Sequence, residues 1–389
     1  MSKIDDLIKE LCSDGVEFRK LGTICKIETG KLNANASCED GKYPFFTTAK
    51  EISRIDTYRW DTEALLIAGN ANVGDVKYFK GKFEAYQRTY VLTDFVDLID
   101  IRFLFFCLSN NLKQYLASRK NDAAMTYIVL GTLQNFLIPI PPLEVQKEIV
   151  YVLDSFAELE AELEAELEAR KKQYEYYRNT LMTFGDSVAW KPMGEVGKLI
   201  RGNGLQKKDF TEEGFPCIHY GQIYTYYGTF AKETKSFVSC SLAEKLVKAA
   251  CGDVIITNTS ENINDVGKAV AWCGNQAVVT GGHATVFKPK LVSGKYFAYY
   301  SQTGDFYKDK KRYAKGTKVI DVSTKDMSKI KIPVPSIEKQ QQIVSILDKF
   351  EKLTNDISVG LPAEIEARRK QYEYYRNKLL TFKELECSK

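Results

Sequence analysis

Histidine is nearly absent from this 389-residue chain, His219 and His283 being the only two, so a histidine metal centre or a Ser-His-Asp triad has almost no raw material. The cysteines number nine and no two stand at a C-x2-C spacing. That excludes a zinc clamp or redox pair of this type and leaves them as reduced packing residues. No apolar run approaches the roughly 18 residues needed to span a bilayer, and Met1-Ser2-Lys3-Ile4-Asp5-Asp6 lacks the charged-then-apolar build of a signal peptide. A cytoplasmic protein without a membrane partner is expected. Nucleotide chemistry is as poorly served. There is no G-x4-G-K-[ST] loop, and Gly202-Asn203-Gly204 does not open a G-x-G-x-x-G because Lys207 stands where the third glycine belongs. The only Pro-Pro pair, Pro141-Pro142, follows Ile140, so the [ND]-P-P-[FY] signature of amino-group methylation is missing. Glu233-Thr234-Lys235 matches the E-x-K fragment of a nuclease pattern, but a three-residue match is expected by chance and carries little weight. Neither a catalytic site, nor a metal, nor a cofactor is expected.

Charge is present, on an uneven plan. The net charge is +4, but Glu158, Glu160, Glu162, Glu164, Glu166 and Glu168 fall in one stretch without a basic residue. Taking those six away leaves +10 on the remainder, a surplus that permits nucleic-acid binding. The length suits two or three domains.

The chain also repeats itself. Glu168-Ala-Arg-Lys-Lys-Gln-Tyr-Glu-Tyr-Tyr-Arg-Asn-Thr-Leu-Met-Thr-Phe184 recurs at Glu366 to Phe382 with 14 of 17 positions identical. Upstream, Ile138-Pro-Ile-Pro-Pro-Leu-Glu-Val-Gln146 returns as Ile332-Pro-Val-Pro-Ser-Ile-Glu-Lys-Gln340, and the match continues through Ile149, Val150, Leu153, Asp154 and Phe156. Val16, Phe18, Gly22, Lys26, Gly30 and Pro44 reappear 172 residues later as Val188, Trp190, Gly194, Lys198, Gly202 and Pro216. Elsewhere the halves diverge. Near-identical helical parts and unlike globular parts describe one scaffold presenting two different surfaces.

The repeated segments read as helix. From Leu143 to about Met182 apolar residues step by three, four or seven, and about 40 residues make a rod of roughly 60 Å. Pro141 and Pro142 mark its start. Within it Ala-Glu-Leu-Glu occurs three times from Ala157 to Glu168, and packing of Leu159, Leu163 and Leu167 is expected to hold that run together. The second rod, from about Ser336 to Phe382, is interrupted at Gly360-Leu361-Pro362. Each globular part mixes strands and helix: Ala64 to Ala68, Thr89 to Leu92, Asp253 to Thr257 and Ala284 to Phe287 read as buried strands, and Phe103 to Ser118 and Tyr296 to Tyr307 as helices.

The expected fold is therefore α+β, mixed α/β, with a pseudo-twofold internal duplication. Residues 1–141 form one globular domain, 142–184 the central helix, 185–335 a second globular domain and 336–389 a C-terminal helical region. The two globular domains are expected to be separated by a long antiparallel helical coiled-coil pair.

In the doubled I-P-[IV]-P…E-x-Q…I-V…L-D-x-F helix starts, the doubled A-R-[KR]-K-Q-Y-E-Y-Y-R-N blocks, Gly360-Leu361-Pro362-Ala363-Glu364-Ile365 and the Ala-Glu-Leu-Glu repeat, the chain resembles the specificity subunits of type I restriction-modification systems. The resemblance implies two target recognition domains, each reading one half of a split, asymmetric site on double-stranded DNA. It implies two partner methyltransferase (modification) subunits that methylate adenine and, with restriction/translocase subunits, an ATP-driven nuclease, all catalysis residing in the partners. A reading from another class is a coiled-coil adaptor whose globular domains bind proteins, which predicts no salt-dependent retention on DNA.

Given a DNA target, polar turns beside strands are the candidate readers. In the first domain these are Thr47, Thr48, Lys50, Asn70, Asn72, Lys77, Lys80, Lys82 and above all Tyr86-Gln87-Arg88. In the second they are Arg201, Asn203, Lys207, Lys208, Tyr220, Gln222, Asn258, Ser260, Asn262, His283 and the turn Lys315-Gly316-Thr317-Lys318. Tyr224, Tyr226 and Tyr227 suit base stacking or plain packing. For partner subunits, Arg170, Lys171, Tyr174, Tyr177 and Arg178 and their copies Arg368, Arg369, Tyr372, Tyr375 and Arg376 combine aromatic anchors with forked cations, and two such surfaces suit two copies of one partner. Four helical residues add about 6 Å and rotate the helix by about 40°, close to the roughly 35° of one base pair. One Ala-Glu-Leu-Glu block is thus expected to match one base pair of spacer.

Overall fold

The run Ala64 to Ala68 is buried at every position, and the first globular domain is built around it. The structure is a computed structural model that describes residues 3–118, 127–185, 187–355 and 359–386. Packing divides the chain into two units, residues 1–162 with 366–389, and residues 163–365.

In the first unit a six-stranded sheet runs in the order Lys26–Thr29, Thr89–Thr93, Trp60–Ala68, Val76–Ala85, Tyr43–Phe46, Ser53–Ile55. Alternation along its central strand explains the unbroken burial. Leu65 and Ile67 join Leu92 in packing against Phe103, Leu104 and Leu108 of helix Ile101–Ser118. Ala64 and Leu66 face the other way, into Phe46, Trp60, Phe83 and Val91.

The second unit begins its sheet in the same order, Gly197–Arg201, Ala284–Pro289, Val254–Thr257, Ala269–Trp272, and then adds Phe230–Ala231. In the first unit Tyr43–Phe46 runs parallel to the far end of the long strand, Phe45 opposite Glu84. Here Phe215–Ile218 runs parallel to Val278–Thr280, Cys217 opposite Val279. The strand that is continuous in the first unit is broken between Trp272 and Val278, which splits one sheet into two. Gly274 permits the break, because a Cβ there would come within 2.3 Å of the Trp272 ring, whose Nε1–H donates to the Gln276 carbonyl at 2.7 Å.

The repeated motif before each helix carries a strand that periodicity did not reveal. Glu17–Lys20 pairs with Leu137–Ile140, Phe18 opposite Pro139, and Ala189–Pro192 pairs with Lys331–Val334, Trp190 opposite Pro333. A two-stranded ribbon has only edges, so the prolines fit. Helix Leu143–Leu181 follows directly on Pro142 and is continuous. The second helical region is Ile337–Asn355 and Leu361–Leu379, the latter with Pro362 in its first turn.

Each helix start is tied to its globular domain by the glutamine of E-x-Q. Gln146 is fully buried; its Oε1 accepts from Asp100 N at 2.7 Å and its Nε2 donates to the Leu98 and Pro141 carbonyls at 2.9 and 2.7 Å. Gln340 repeats this with Ser293 N, Leu291 O and Pro335 O at 2.8, 3.1 and 3.0 Å. About two turns further, Asp154 pairs with Arg102 and Asp348 with Lys295.

Helix pairing within the first unit is antiparallel. Phe156 meets Tyr372 and Tyr375 at 6.2 and 5.5 Å between ring centroids, and further along Glu160 meets Arg369 at 2.6 Å, so one number rises as the other falls. In the second unit Phe350 meets Tyr174 and Tyr177 at 6.2 and 5.4 Å, the same rings of the repeat.

Two expectations are corrected. The helix read from Tyr296 to Tyr307 is two helices, Gly294–Tyr300 and Gly304–Tyr313, because Thr303 turns extended and its side chain caps the second by accepting from Phe306 N. The leucine stripe is not a packed seam: Leu159 is 44% exposed, and Leu163 and Leu167 are only half-buried. A four-residue period advances about 40° per repeat, so three leucines cannot share one narrow face.

Candidate nucleic-acid interface

Backbone pairing gathers loops from distant parts of the first domain at one end of its sheet. Gly69 N donates to Arg88 O at 2.8 Å, Ile128 N to Gly69 O at 2.7 Å, and Gln87 N to Leu32 O at 2.9 Å. Asn70 bridges Tyr127. Gln87 and Arg88 stand exposed between these buried strands, in a concavity walled by Thr29, Gly69, Tyr90, Tyr127 and Ile128. The Arg88 guanidinium lies over the Tyr127 ring at 6.0 Å from its centroid, while Gln87 Nε2 donates to Asn33 Oδ1 at 2.8 Å. Gly30 is required here, since a Cβ would come within 1.9 Å of the Ala85 carbonyl.

The second domain builds the same end from other side chains. Asn258 N donates to His283 O at 2.8 Å and Val322 N to Asn258 O at 2.9 Å, which repeats the pattern of Gly69, Arg88 and Ile128. His283 therefore occupies the address of Arg88. It too is exposed, in a concavity shared with Lys207, His219 and Tyr220. The Tyr220 ring lies between the two imidazoles, 4.4 Å from His219 and 4.8 Å from His283. His219 is buried and caps helix Tyr220–Thr225 by accepting from Gly221 N at 3.2 Å. Burial pulls its pKa down to about 4, with repulsion from Lys207 and His283 adding to the fall.

The candidate readers are thereby sorted. At the shared end of the first domain stand Asn70, Asn72, Tyr86, Gln87 and Arg88; Thr47 and Lys50 flank it. Thr48 is buried, and its carbonyl accepts from Asn72 Nδ2, so it holds a loop instead of facing solvent. Lys77 donates to the Ala49 carbonyl at 2.6 Å. Lys80 and Lys82 lie mid-strand, one beside Glu63 at 3.6 Å and the other over the Tyr58 ring at 4.7 Å, away from that end. In the second domain Asn258 is a correction: it is fully buried, donating to Val322 O at 2.7 Å and accepting from Thr285 Oγ1 at 2.9 Å. Gln222 is committed to His219 N and Ser236 Oγ, and Asn203 to Lys245 O and Val247 N. Arg201 donates to Gly282 O at 2.9 Å and lies 3.5 Å from Asp321. Lys207, Lys315, Thr317 and Lys318 are exposed. Of the three tyrosines, Tyr227 is buried with its hydroxyl accepting from Lys235 N, while Tyr226 is 57% exposed.

Tyr127 was missed. Nothing local marks it; only its pairing with Asn70 across 57 residues puts it beside Arg88.

The repeated helix ends divide likewise. Tyr174 is buried, and its hydroxyl donates to Glu351 at 3.0 Å; burial first and the Glu351 charge second push its pKa up. Glu351 also accepts from Thr229 N at 3.2 Å. Tyr174 is thus an internal strut. Tyr177 stays 39% exposed. Arg178 donates to Gln302 at 3.1 Å and lies over Tyr174 at 5.4 Å, as Arg376 lies over Tyr372 at 5.4 Å. Tyr372 and Tyr375 are half-buried against Phe156. Arg170 bonds Gln173 and Arg368 bonds Gln371 along their own helices. Among the described residues no cluster of three or more His, Cys, Asp or Glu is placed to hold a metal ion, and no helix is long and apolar enough to cross a membrane.

Comparison with known proteins agrees with this doubled architecture. The family model described as the type I restriction modification DNA specificity domain matches twice, at residues 13–169 and 187–367. A putative type I restriction enzyme specificity subunit of Haemophilus influenzae is 32% identical over 398 residues, covering 97% of this chain and 98% of its own. The EcoR124I/EcoR124II specificity subunit of Escherichia coli is 36% identical over 262 residues, 63% of each chain. The crystal structure of the type I restriction-modification S subunit from M. genitalium superposes with a TM-score of 0.56 at 17% identity, over 94% of this chain and 96% of that one, a likeness of fold.

Proposed function

Because the chain belongs to the family of type I restriction-modification DNA specificity subunits, non-catalytic components whose general role is DNA sequence specificity, we propose that it reads a bipartite, asymmetric site with one half-site per globular domain. One observation carries this reading. Arg88 and His283 occupy the same backbone address in two otherwise unlike domains, both exposed at the end of a sheet. A fixed address with variable occupants is what two readers of different sequences need. Lysines at 50, 207, 315 and 318 supply exposed cations for phosphates around these ends.

Partner methyltransferase subunits, two copies, dock on the repeated helix faces around Tyr177 and Tyr375, and direct their chemistry to adenines next to the half-sites; restriction subunits join the same assembly. Helix Leu143–Leu181 passes without a break through the Ala-Glu-Leu-Glu repeats, so their number sets the spacer between half-sites. The test is adenine-methylation mapping in cells carrying the methyltransferase with and without this chain, together with retention of the purified complex on duplex DNA against salt. A two-part motif that vanishes without the chain, and affinity that falls steeply with salt, are expected. Methylation independent of the chain, or retention by protein partners with no DNA dependence, favours the adaptor reading instead.

A further inference from the structure

Directly after Gly69, which lines the concavity beside Arg88, stands an unexplained atom. Asn70 Oδ1 is buried and has no hydrogen-bond partner among the described residues, a state folded proteins rarely keep without a water, an ion or a ligand group to complete it. Asn70 follows Gly69, which holds the Arg88 carbonyl, and pairs with Tyr127, over which the Arg88 guanidinium lies. Asn70, through its backbone, and the five-donor guanidinium therefore have Tyr127 as a common neighbour. In the second domain the equivalent contact is already closed. Thr259, next after Asn258, has its Oγ1 2.9 Å from His283 Nδ1.

We propose that Asn70 and Thr259 are positioning residues for the base-reading side chains Arg88 and His283, and that Arg88 takes the major-groove edge of a guanine. This rests on the DNA-reading function proposed above. A guanidinium only donates, and of the four bases only guanine presents two acceptors, N7 and O6, on that edge. Arg88 already lies over Tyr127; on binding it turns one N–H to Asn70 Oδ1, and the remaining N–H groups keep their fork for the base. His283, with Nδ1 engaged by Thr259, has a single ring nitrogen left, so its half-site is read less strictly at this address.

The test uses the full chain assembled with its methyltransferase subunits, binding a library of duplexes in which each base pair of both half-sites is varied. Arg88→Ala is expected to relax discrimination about tenfold or more at one G·C pair of the first half-site. Asn70→Ala relaxes the same pair about fivefold, Asn70→Asp keeps the acceptor and restores it, and the second half-site is unchanged throughout. A merely structural Asn70 would weaken all duplexes alike, with no rescue by aspartate, and that result overturns the proposal. So does a relaxed pair that is A·T, or an Asn70→Ala variant whose preferences match the parent. If the parent complex itself shows no sequence preference, the DNA-reading function fails along with it.

Discussion

Replacing Gln146 by alanine strands three buried or partly buried groups at once: the Leu98 and Pro141 carbonyls, which lose their donor, and Asp100 N–H, which loses its acceptor. Each unpaired buried group costs about 1–3 kcal/mol, and the lost side-chain volume adds a cavity. Local relaxation returns part of this, so a loss of roughly 3–6 kcal/mol is expected in the first unit. Gln146→Glu is the sharper probe. It keeps an acceptor for Asp100 N–H but turns a carboxylate toward two carbonyls, so it is as damaging as alanine at neutral pH. Taking up a proton restores one donor, and the defect shrinks as pH falls toward 5. Hydrogen exchange on the full chain reads the effect residue by residue. Protection should drop at helix Ile101–Ser118 and the start of Leu143–Leu181 far more than at Gly294–Tyr300. Gln340→Ala should invert the pattern through Ser293, Leu291 and Pro335. A change below about 1 kcal/mol, equal losses in both units, or a Gln146→Glu defect that does not shrink as pH falls would refute the assignment of these glutamines as the ties between helix and globular domain.

Deleting Ala157 to Glu160 removes one repeat, about 6 Å and 40° of helix; methylation mapping should return the same two half-sites with a spacer one base pair shorter, and an unchanged spacer would end the ruler idea. His219 stays neutral to about pH 4 when folded but takes up its proton near 6.5 when unfolded. Between those values the unfolded chain binds more protons, so stability rises with pH by roughly 3 kcal/mol across the window. His219→Asn, which keeps an acceptor for Gly221 N–H, should flatten that rise in denaturant titrations, and a slope equal to the parent's would count against it. Thr303→Ala removes the cap that starts Gly304–Tyr313 and should cost about 1 kcal/mol in the second unit by the same titration, with a null effect speaking against the capping role.

Legibility followed locality. The strands at Ala64, Thr89, Asp253 and Ala284 were readable because burial writes itself into runs of apolar residues. Leu137–Ile140 and Lys331–Val334 were not, because prolines argue against strand unless the ribbon has only edges. The Tyr296 helix was overextended since Thr303 signals a cap only once the chain turns there. Among candidate readers, Arg88 and His283 were correctly placed in turns, but nothing in the order of residues revealed that they share one address. Asn258 looked like a surface amide and is buried, because its partners Val322 and Thr285 are 64 and 27 residues away.

By itself the amino-acid order determined the duplication, the long helix that follows Pro142, the mixture of strand and helix in each domain and the family to which these belong. Those are properties of repetition, periodicity and local backbone preference, all carried within a few turns of chain. Tertiary structure alone decided which polar side chains were spent inside and which stayed at the surface: Gln146, Gln340, Tyr174 and Glu351 inside, Arg88, His283 and Tyr177 outside. A hydrogen bond is satisfied by whatever lies within about 3 Å, and that neighbour is chosen by how strands cross, not by where residues stand in line.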